Sequence, residues 1–238
     1  EAYFDTNVKG TLNVLENSRK FNIKKFIYAA SSSCYGIPKK YPTKETEILD
    51  CKYPYSLTKQ MGEDLVLHWG KVYKLKVISL RFFNIYGERS RTSGTYGAMF
   101  GIFLAQKIKN KSYTVVGNGK QKRDFTYVSD IVEAIIKASR LKKDQLVLNI
   151  GSGKCFSVNY ITKLLGGPKT YIPKRPGEPN ITWANIDKAK KILNWKPKIS
   201  IEVGVKILLA NISLWRSAPI WDKKKIKIAT KDWFKYLK

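Results

Sequence analysis

With 238 residues the chain can bury a sizeable core, in one domain or two closely joined ones. A formal net charge of +27 would suit a nucleic-acid or membrane-surface protein, yet the lysines are scattered (Lys39-Lys40, Lys142-Lys143, Lys190-Lys191, densest at Lys223 to Lys225), and no zinc spacing, RNA-binding signature or aromatic-interleaved basic stripe accompanies them. The charge reads as a lysine-biased surface with some attraction for phosphorylated substrates, and neither nucleic acid nor membrane is expected as a partner: three widely spaced cysteines (Cys34, Cys51, Cys155) argue against a disulfide framework, and no apolar run approaches the ~18 residues of a membrane span.

Residues Ala2 to Arg19 carry Phe4, Val8, Leu12 and Leu15 at helical spacing. Because the chain opens at Glu1 inside a helical pattern, with no G-x-G-x-x-G turn, it is expected to be a fragment lacking two βαβ units, roughly 60–70 residues at ~30 each. Lys25 to Ala30 is a short apolar run suited to a buried parallel strand, and Ser31, Ser32 and Ser33 fall at its C-terminal end. Pro38 to Pro54 reads as a loop. A helix follows over Tyr55 to Tyr73, with Leu57, Met61, Leu65, Trp69 and Val72 on one side. The only histidine, His68, lacks partners at metal spacing and reads as structural. Lys76 to Leu80 is a strand, with R-F-F-N-I-Y-G (Arg81 to Gly87) as its terminal loop.

After Gly87 the pattern changes, and the polar stretch Glu88 to Gly97 reads as a boundary. Ala98 to Lys109 is expected to be a helix, Tyr113 to Val116 a strand, Gly117-Asn118-Gly119 a tight turn and Asp124 to Val128 a strand. A helix then starts at Asp130, as N-cap. Leu146 to Ile150 is a further strand, closed by Gly151-Ser152-Gly153, which lacks the frame of a phosphate loop. Asp187 and Ser200 suit caps of two more helices, the second over Ile201 to Trp215. The tail with Trp215, Trp221, Trp233 and Phe234 reads as a closing helix.

The chemistry concentrates between Ala29 and Lys59. Tyr55 and Lys59 stand one helical turn apart on one face, so the ammonium can lower a phenol pKa that is ordinarily near ~10. The hydroxyls of Ser31 to Ser33 at a strand end could complete a proton-transfer group. Alone, Y-x-x-x-K recurs by chance. Preceded by S-S-S-C-Y-G and followed by R-F-F-N-I-Y-G, it resembles the extended short-chain dehydrogenase/reductases, specifically their NAD-dependent epimerase/dehydratase branch and its UDP-glucose 4-epimerase-like members.

That resemblance implies an α/β fold: a Rossmann-like doubly wound parallel sheet, its N-terminal part missing, with a smaller α/β substrate-binding domain. Residues 1–87 would be the C-terminal half of the NAD-binding domain. Residues 88–238 would be mainly the nucleotide-sugar-binding domain, with some elements returning to the sheet. Tyr55 would be the general base, Lys59 would hold a ribose of the cofactor NAD and depress the Tyr55 pKa, and Asn7 in Y-F-D-T-N-V-K would lie beside the cofactor. Ser31 would bind the reacting sugar oxygen, with Ser32 and Ser33 as near substitutes. Asn84 would hold a phosphate or sugar oxygen, and Arg123 in K-R-D-F-T-Y-V would reach the diphosphate. Arg175 and Glu178 in K-R-P-G-E-P would grip the diphosphate and the ribose hydroxyls; forked guanidiniums suit that task. Thr114 and Val116 occupy the position of main-chain contacts to the base. Thr182 stands where related epimerases gate the sugar 2-substituent, and its small size would admit an N-acetyl group.

The resemblance further implies a nucleotide-sugar C4-epimerase working through a 4-keto sugar on UDP-glucose/UDP-galactose or UDP-GlcNAc/UDP-GalNAc. A homodimer through a four-helix interface, a cytoplasmic location and a role in cell-surface polysaccharide synthesis go with it, and no metal is expected. Family 4,6-dehydratases carry Thr-Asp-Glu where this chain has Ser31-Ser32-Ser33, so no acid stands ready to expel a hydroxyl. A dehydratase or reductase, and a non-catalytic basic binding protein on the same scaffold, are the alternatives. As given, without the glycine-rich turn, the chain would not hold dinucleotide properly.

Overall fold

The computed structural model describes residues 1–90, 92 and 99–237. A continuous helix α1 (2–20) opens the chain; its segment Asp5–Lys9 is a π-turn with Asn7 at the centre. Then follow β1 (Phe26–Ser31), a 3₁₀ turn (Ser32–Tyr35), α2 (Pro54–Tyr73), β2 (Val77–Phe82) and β3 (Asn84–Tyr86). Next come α3 (Met99–Ile108), β4 (Tyr113–Val116), β5 (Lys122–Arg123), β6 (Phe125–Tyr127), α4 (Val128–Arg140) and β7 (Leu146–Ile150). The chain continues through β8 (Phe156–Ser157), α5 (Val158–Leu165), β9 (Lys169–Ile172), α6 (Asp187–Leu193), α7 (Ile201–Ala210), α8 (Lys223–Ala229) and α9 (Lys231–Tyr236). Most of the expected boundary stretch and the expected first helical residue, Ala98, lie outside the described residues.

The main sheet is parallel, in the order β1-β2-β7, with Ala29 opposite Leu80 and Leu80 opposite Leu148. Its middle strand is buried at five of six positions, which is why Val77 to Leu80 reads as an apolar run broken only by Ser79. Ile78, Leu80, Leu148 and Ile150 share a core with Ile131 and Ala134 of α4 and with Ala189 and Leu193 of α6, so elements beyond residue 87 close one face of this sheet. A second core joins Phe100, Phe103 and Leu104 of α3 to Tyr113, Phe125, Ile161 and Val205. It underlies the two-stranded parallel ladders β3-β6 and β4-β9. Arg81 to Gly87 is therefore no simple loop: Asn84–Tyr86 leaves the main sheet and pairs in parallel with Phe125–Tyr127.

Helix α2 corrects the expected burial pattern. Leu57 and Val72 of the anticipated apolar stripe are exposed, whereas Ser56, Thr58, Gly62, Glu63, Val66 and Gly70 are buried. Small residues on that face let the helix approach the sheet closely. A Cβ on Gly62 would come within 2.2 Å of the Tyr28 hydroxyl and 2.8 Å of the Asn7 carbonyl, so nothing larger fits there.

Two expected caps also move. The N-cap before α4 is Tyr127, and Asp130 lies within the first turn, buried, accepting from the Ile199 amide at 3.1 Å. Before α6 the capping oxygen belongs to Asn185, which accepts from the Asp187 amide at 3.1 Å; each carboxylate sits favourably near a helix N-terminus all the same. Ser200 does cap α7. The tail forms two short helices rather than one, with Trp215 buried ahead of them in a 3₁₀ turn. Among the described residues, no helix is long and apolar enough to cross a membrane, and no group of three or more His, Cys, Asp or Glu could hold a metal. His68 is exposed, edge-on to Trp69 at 6.0 Å.

Candidate active site

The parallel strands deliver Ser31 to the carboxyl end of the sheet, where open α/β folds bind their ligands. Ser31 N-caps the 3₁₀ turn: its Oγ accepts from the Ser33 amide at 3.2 Å and lies 2.9 Å from the Ser33 hydroxyl. Ser32 is half-buried in the same turn. Tyr55 lies in the first turn of α2, half-buried and edge-on to Tyr3 at 5.5 Å. Burial pushes its phenol above the usual value, and a hydrogen bond with the Ser31 side chain pulls it back down. Lys59, one turn later, donates to the Ala29 carbonyl and lies 4.5 Å from the centre of the Tyr28 ring. Burial lowers its pKa, as expected for a desolvated ammonium. Asn7, in the π-turn, donates to Thr58 Oγ at 3.1 Å, and that hydroxyl donates to the Tyr55 carbonyl at 3.0 Å. π-Turns are often found at functional sites.

Behind this group runs a buried polar network that the sequence reading did not single out. The Arg81 guanidinium forks onto Glu63, with Nε 3.1 Å from both carboxylate oxygens. Its Nη1 donates to Tyr35 Oη at 2.9 Å, and Tyr35 donates to Asn149 Oδ1 at 2.7 Å. Ser79 donates to Glu63 Oε2 at 2.6 Å. The network ties together the serine turn, α2 and two strands of the sheet. Its sequence signal was spacing: Glu63 continues the i, i+4 series Tyr55, Lys59.

Asn84, Thr114, Val116, Arg123, Arg175 and Glu178, placed separately along the sequence, line a single cleft of about 900 Å³ counted out to open solvent. Glu178 sits between two guanidiniums, 3.0 Å from Arg175 and 3.8 Å from Arg123. Burial lowers the Arg123 pKa, and Glu178 opposes that shift. Thr182 adjoins the cleft through Asn84: its hydroxyl donates to Asn84 Oδ1 at 2.8 Å and accepts from the Asp124 amide at 3.3 Å. Asp124, which the sequence reading passed over, is a buried hub accepting from the Ser152, Gly153 and Ala184 amides. Burial raises its carboxyl to about 6.

On β4, Tyr113 faces β9 with its amide, so Thr114 and Val116 present their backbones to the opposite edge. Two of those groups are already engaged: the Thr114 amide donates to Gln106 Oε1 at 3.1 Å, and the Val116 carbonyl accepts from Gln121 at 2.8 Å. The same edge carries the Thr114 carbonyl and the Val116 amide. Sequence reasoning missed the other wall of the cleft, formed by Trp221, Ile226, Ala229 and Thr230 of the tail. Ser31 to Ser33, Tyr55 and Lys59 are not part of this lining; a bridge joins the two regions, with the Trp233 ring 5.4 Å from that of Tyr53 and its Nε1 donating to the Pro176 carbonyl at 2.7 Å.

A parallel sheet with Ser31 at a strand end, Tyr55 and Lys59 on the helix that follows, and a cleft with two arginines mark an α/β protein of the short-chain dehydrogenase/reductase type. Residues 1–151 match the NAD dependent epimerase/dehydratase family, and the chain belongs to it. It is 34% identical over 212 residues to a UDP-glucuronate 4-epimerase of Thermodesulfobacterium geofontis, covering 86% of this chain and 64% of that protein. The chain thus spans about two thirds of the length of such relatives. A solved UDP-glucose 4-epimerase with UDP-glucose from Thermotoga maritima superposes with a TM-score of 0.81 at 34% identity, over 90% of this chain and 70% of that one. A UDP-glucuronic acid 4-epimerase from Bacillus cereus, solved with UDP-glucuronic acid and NAD, gives 0.80 at 30%, over 88% and 68%.

Proposed function

We propose that the protein is a nucleotide-sugar C4-epimerase, UDP-linked and NAD-dependent, acting on glucose/galactose or GlcNAc/GalNAc pairs. The observation that carries this reading is the convergence of Asn84, Thr114, Val116, Arg123, Arg175 and Glu178 on one cleft. The donor set beside it fits a dinucleotide: a half-buried ammonium on Lys59 and the Asn7 amide tied to the helix that carries Tyr55. Lys59 and Asn7 would hold it. When bound, that cofactor supplies reversible hydride acceptance and a positive ring.

Tyr55 Oη takes the proton from the sugar 4-hydroxyl while Ser31 holds that oxygen, and returns it after the 4-keto sugar has presented its other face. Lys59 favours the phenolate electrostatically. Arg123 and Arg175 neutralise the diphosphate, for which Glu178 must release at least one guanidinium fork; it then turns to the ribose hydroxyls. The Thr114 carbonyl and the Val116 amide offer one acceptor and one donor to the base. Ser32 and Ser33 place no acid at the sugar, which disfavours elimination.

The exposed apolar residues Phe4, Val14, Leu57 and Val72 on the first two helices support a homodimer built on a four-helix contact. The three free thiols suit a reducing compartment such as the cytoplasm.

The test is proton NMR of the whole gene product with UDP-glucose, UDP-GlcNAc, UDP-glucuronate and dTDP-glucose, with and without added NAD. A C4 epimer without net cofactor turnover is the expected result. Loss of the C6 hydroxyl would mean a dehydratase, and no change with any sugar would refute the epimerase.

A further inference from the structure

We propose that the C-terminal segment from Trp221 to Tyr236 is part of the nucleotide site: it forms the nucleoside wall of the cleft and is latched shut by Trp233. The inference rests on the reading of the cleft as a site for a nucleoside diphosphate.

The cleft has two chemically distinct ends. Arg123, Arg175, Glu178 and Asn84 are the charged and polar end, fit for a diphosphate. The remaining lining is largely apolar, and the tail supplies Trp221, Ile226, Ala229 and Thr230 to it. A flat indole with neighbouring aliphatic side chains is what a nucleobase packs on.

The tail is attached at both of its ends, through Trp221 and through Trp233. Gln106, buried in α3, uses its whole amide at one junction: Oε1 accepts from the Thr114 amide, and Nε2 donates to Thr114 Oγ at 2.9 Å and to the Trp221 carbonyl at 2.8 Å. One side chain thereby joins the strand proposed to read the base to the tail opposite it. Trp221 Nε1 donates to the Thr92 carbonyl at 2.8 Å. At the far end Trp233 bridges Tyr53, two residues before the proposed base Tyr55, and Pro176, in the turn between Arg175 and Glu178. The helices between these anchors are short and expose Lys223, Lys224, Lys225, Lys227, Lys231 and Lys235. Two helices of seven and six residues that bury Ile226 and Thr230 between these anchors can open locally at low cost. Binding of a nucleotide to the closed form alone then suppresses opening by mass action.

The exposed lysines provide the readout. The whole gene product is digested with limiting trypsin, with and without UDP, and C-terminal cleavage is followed by mass spectrometry. UDP at one hundred times its Kd should slow cleavage in the tail by roughly a hundredfold when only the closed form binds. Trp221→Ala should weaken UDP, measured by calorimetry, by roughly tenfold, the size expected for one lost aromatic contact to a base. Trp233→Phe, which keeps the ring and removes the donor to Pro176, should speed tail cleavage without UDP, while Phe234→Ala, on an exposed side chain, should not. UDP binding with unchanged cleavage of the tail would overturn the inference and leave the nucleotide cleft standing. Absence of UDP binding to the unaltered protein would overturn both. Should Trp221→Ala fail to fold, the protection experiment on the unaltered chain decides.

Discussion

Lys59 rests its ammonium on the carbonyl of Ala29, while the Ser31 side chain acts on the Tyr55 phenol and lowers its pKa against the effect of burial. Burial pushes the phenol up and the ammonium down, disfavouring the charged form of each. Tyr55 must lose its proton to act as a base. The active fraction therefore grows as pH rises through the phenol pKa, and any positive charge nearby shifts that rise to lower pH. Lys59→Met is expected to move the acid limb of the kcat/KM profile to higher pH, with activity partly recovered in alkaline buffer. An unmoved limb would separate Lys59 from the ionisation of Tyr55.

Tyr55→Phe removes the proton acceptor and leaves the cleft intact. Turnover is expected to fall by roughly 10²–10⁴, the range attributed to a positioned acid–base group, while UDP affinity and melting temperature hold. A comparable loss of UDP affinity would mean that the ring serves binding instead.

Arg81 and Glu63 form a nearly dry ion pair, with side-chain exposures of 7% and 3%. Removing one partner strands the other charge. Arg81→Met should cost about 3–5 kcal/mol, and Glu63→Gln in the same chain should recover part of it, because the stranded carboxylate is gone. Thermal denaturation of the single and double variants reads this directly; additive losses would contradict the coupling.

Thr182 offers a test of substrate choice. Its hydroxyl already bonds Asn84 and the Asp124 amide, so Thr182→Tyr both fills space and disturbs Asn84. The expected outcome is selective loss of acetamido sugars, with plain hexoses retained. Thr182→Ser, which preserves the hydroxyl, should keep both. Equal losses for the two sugar classes would dismiss the gate.

The proposed homodimer is addressed by Leu57→Arg, which puts a charge on an exposed apolar position of α2. Sedimentation should shift from dimer toward monomer without unfolding. An unaltered sedimentation coefficient would exclude this face from the contact.

The sequence exposed the sheet and the site to different degrees. Val77 to Leu80 and Leu146 to Ile150 were readable because a strand covered on both faces is mostly apolar, here broken only by Ser79 and Asn149. Tyr55 and Lys59 were readable because four residues make one helical turn. The cleft residues could be named only by resemblance, since Arg123 and Arg175 are 52 positions apart and nothing local brings them together. The buried face of α2 escaped notice because close packing selected Gly62, Gly70 and small polar residues where amphipathicity would predict leucines. Asp130 was misjudged for a related reason: a carboxylate in a first turn looks alike whether it caps its own helix or accepts from Ile199, 69 residues away. The tail's part in the cleft had no sequence signal beyond its tryptophans.

The β4-β9 ladder sets Thr114 beside Thr170 and Val116 beside Ile172, and the chain leaves its end directly into the turn that holds Arg175 and Glu178. A nucleoside diphosphate lying along it would be gripped at the base by one strand and at the phosphates by the continuation of its partner. The two grips are spaced by the ladder and by the short run of chain from its end to Arg175 and Glu178. Such a site behaves as a gauge of ligand length: a handle shortened by one phosphate can satisfy the base contacts or the arginines, but not both.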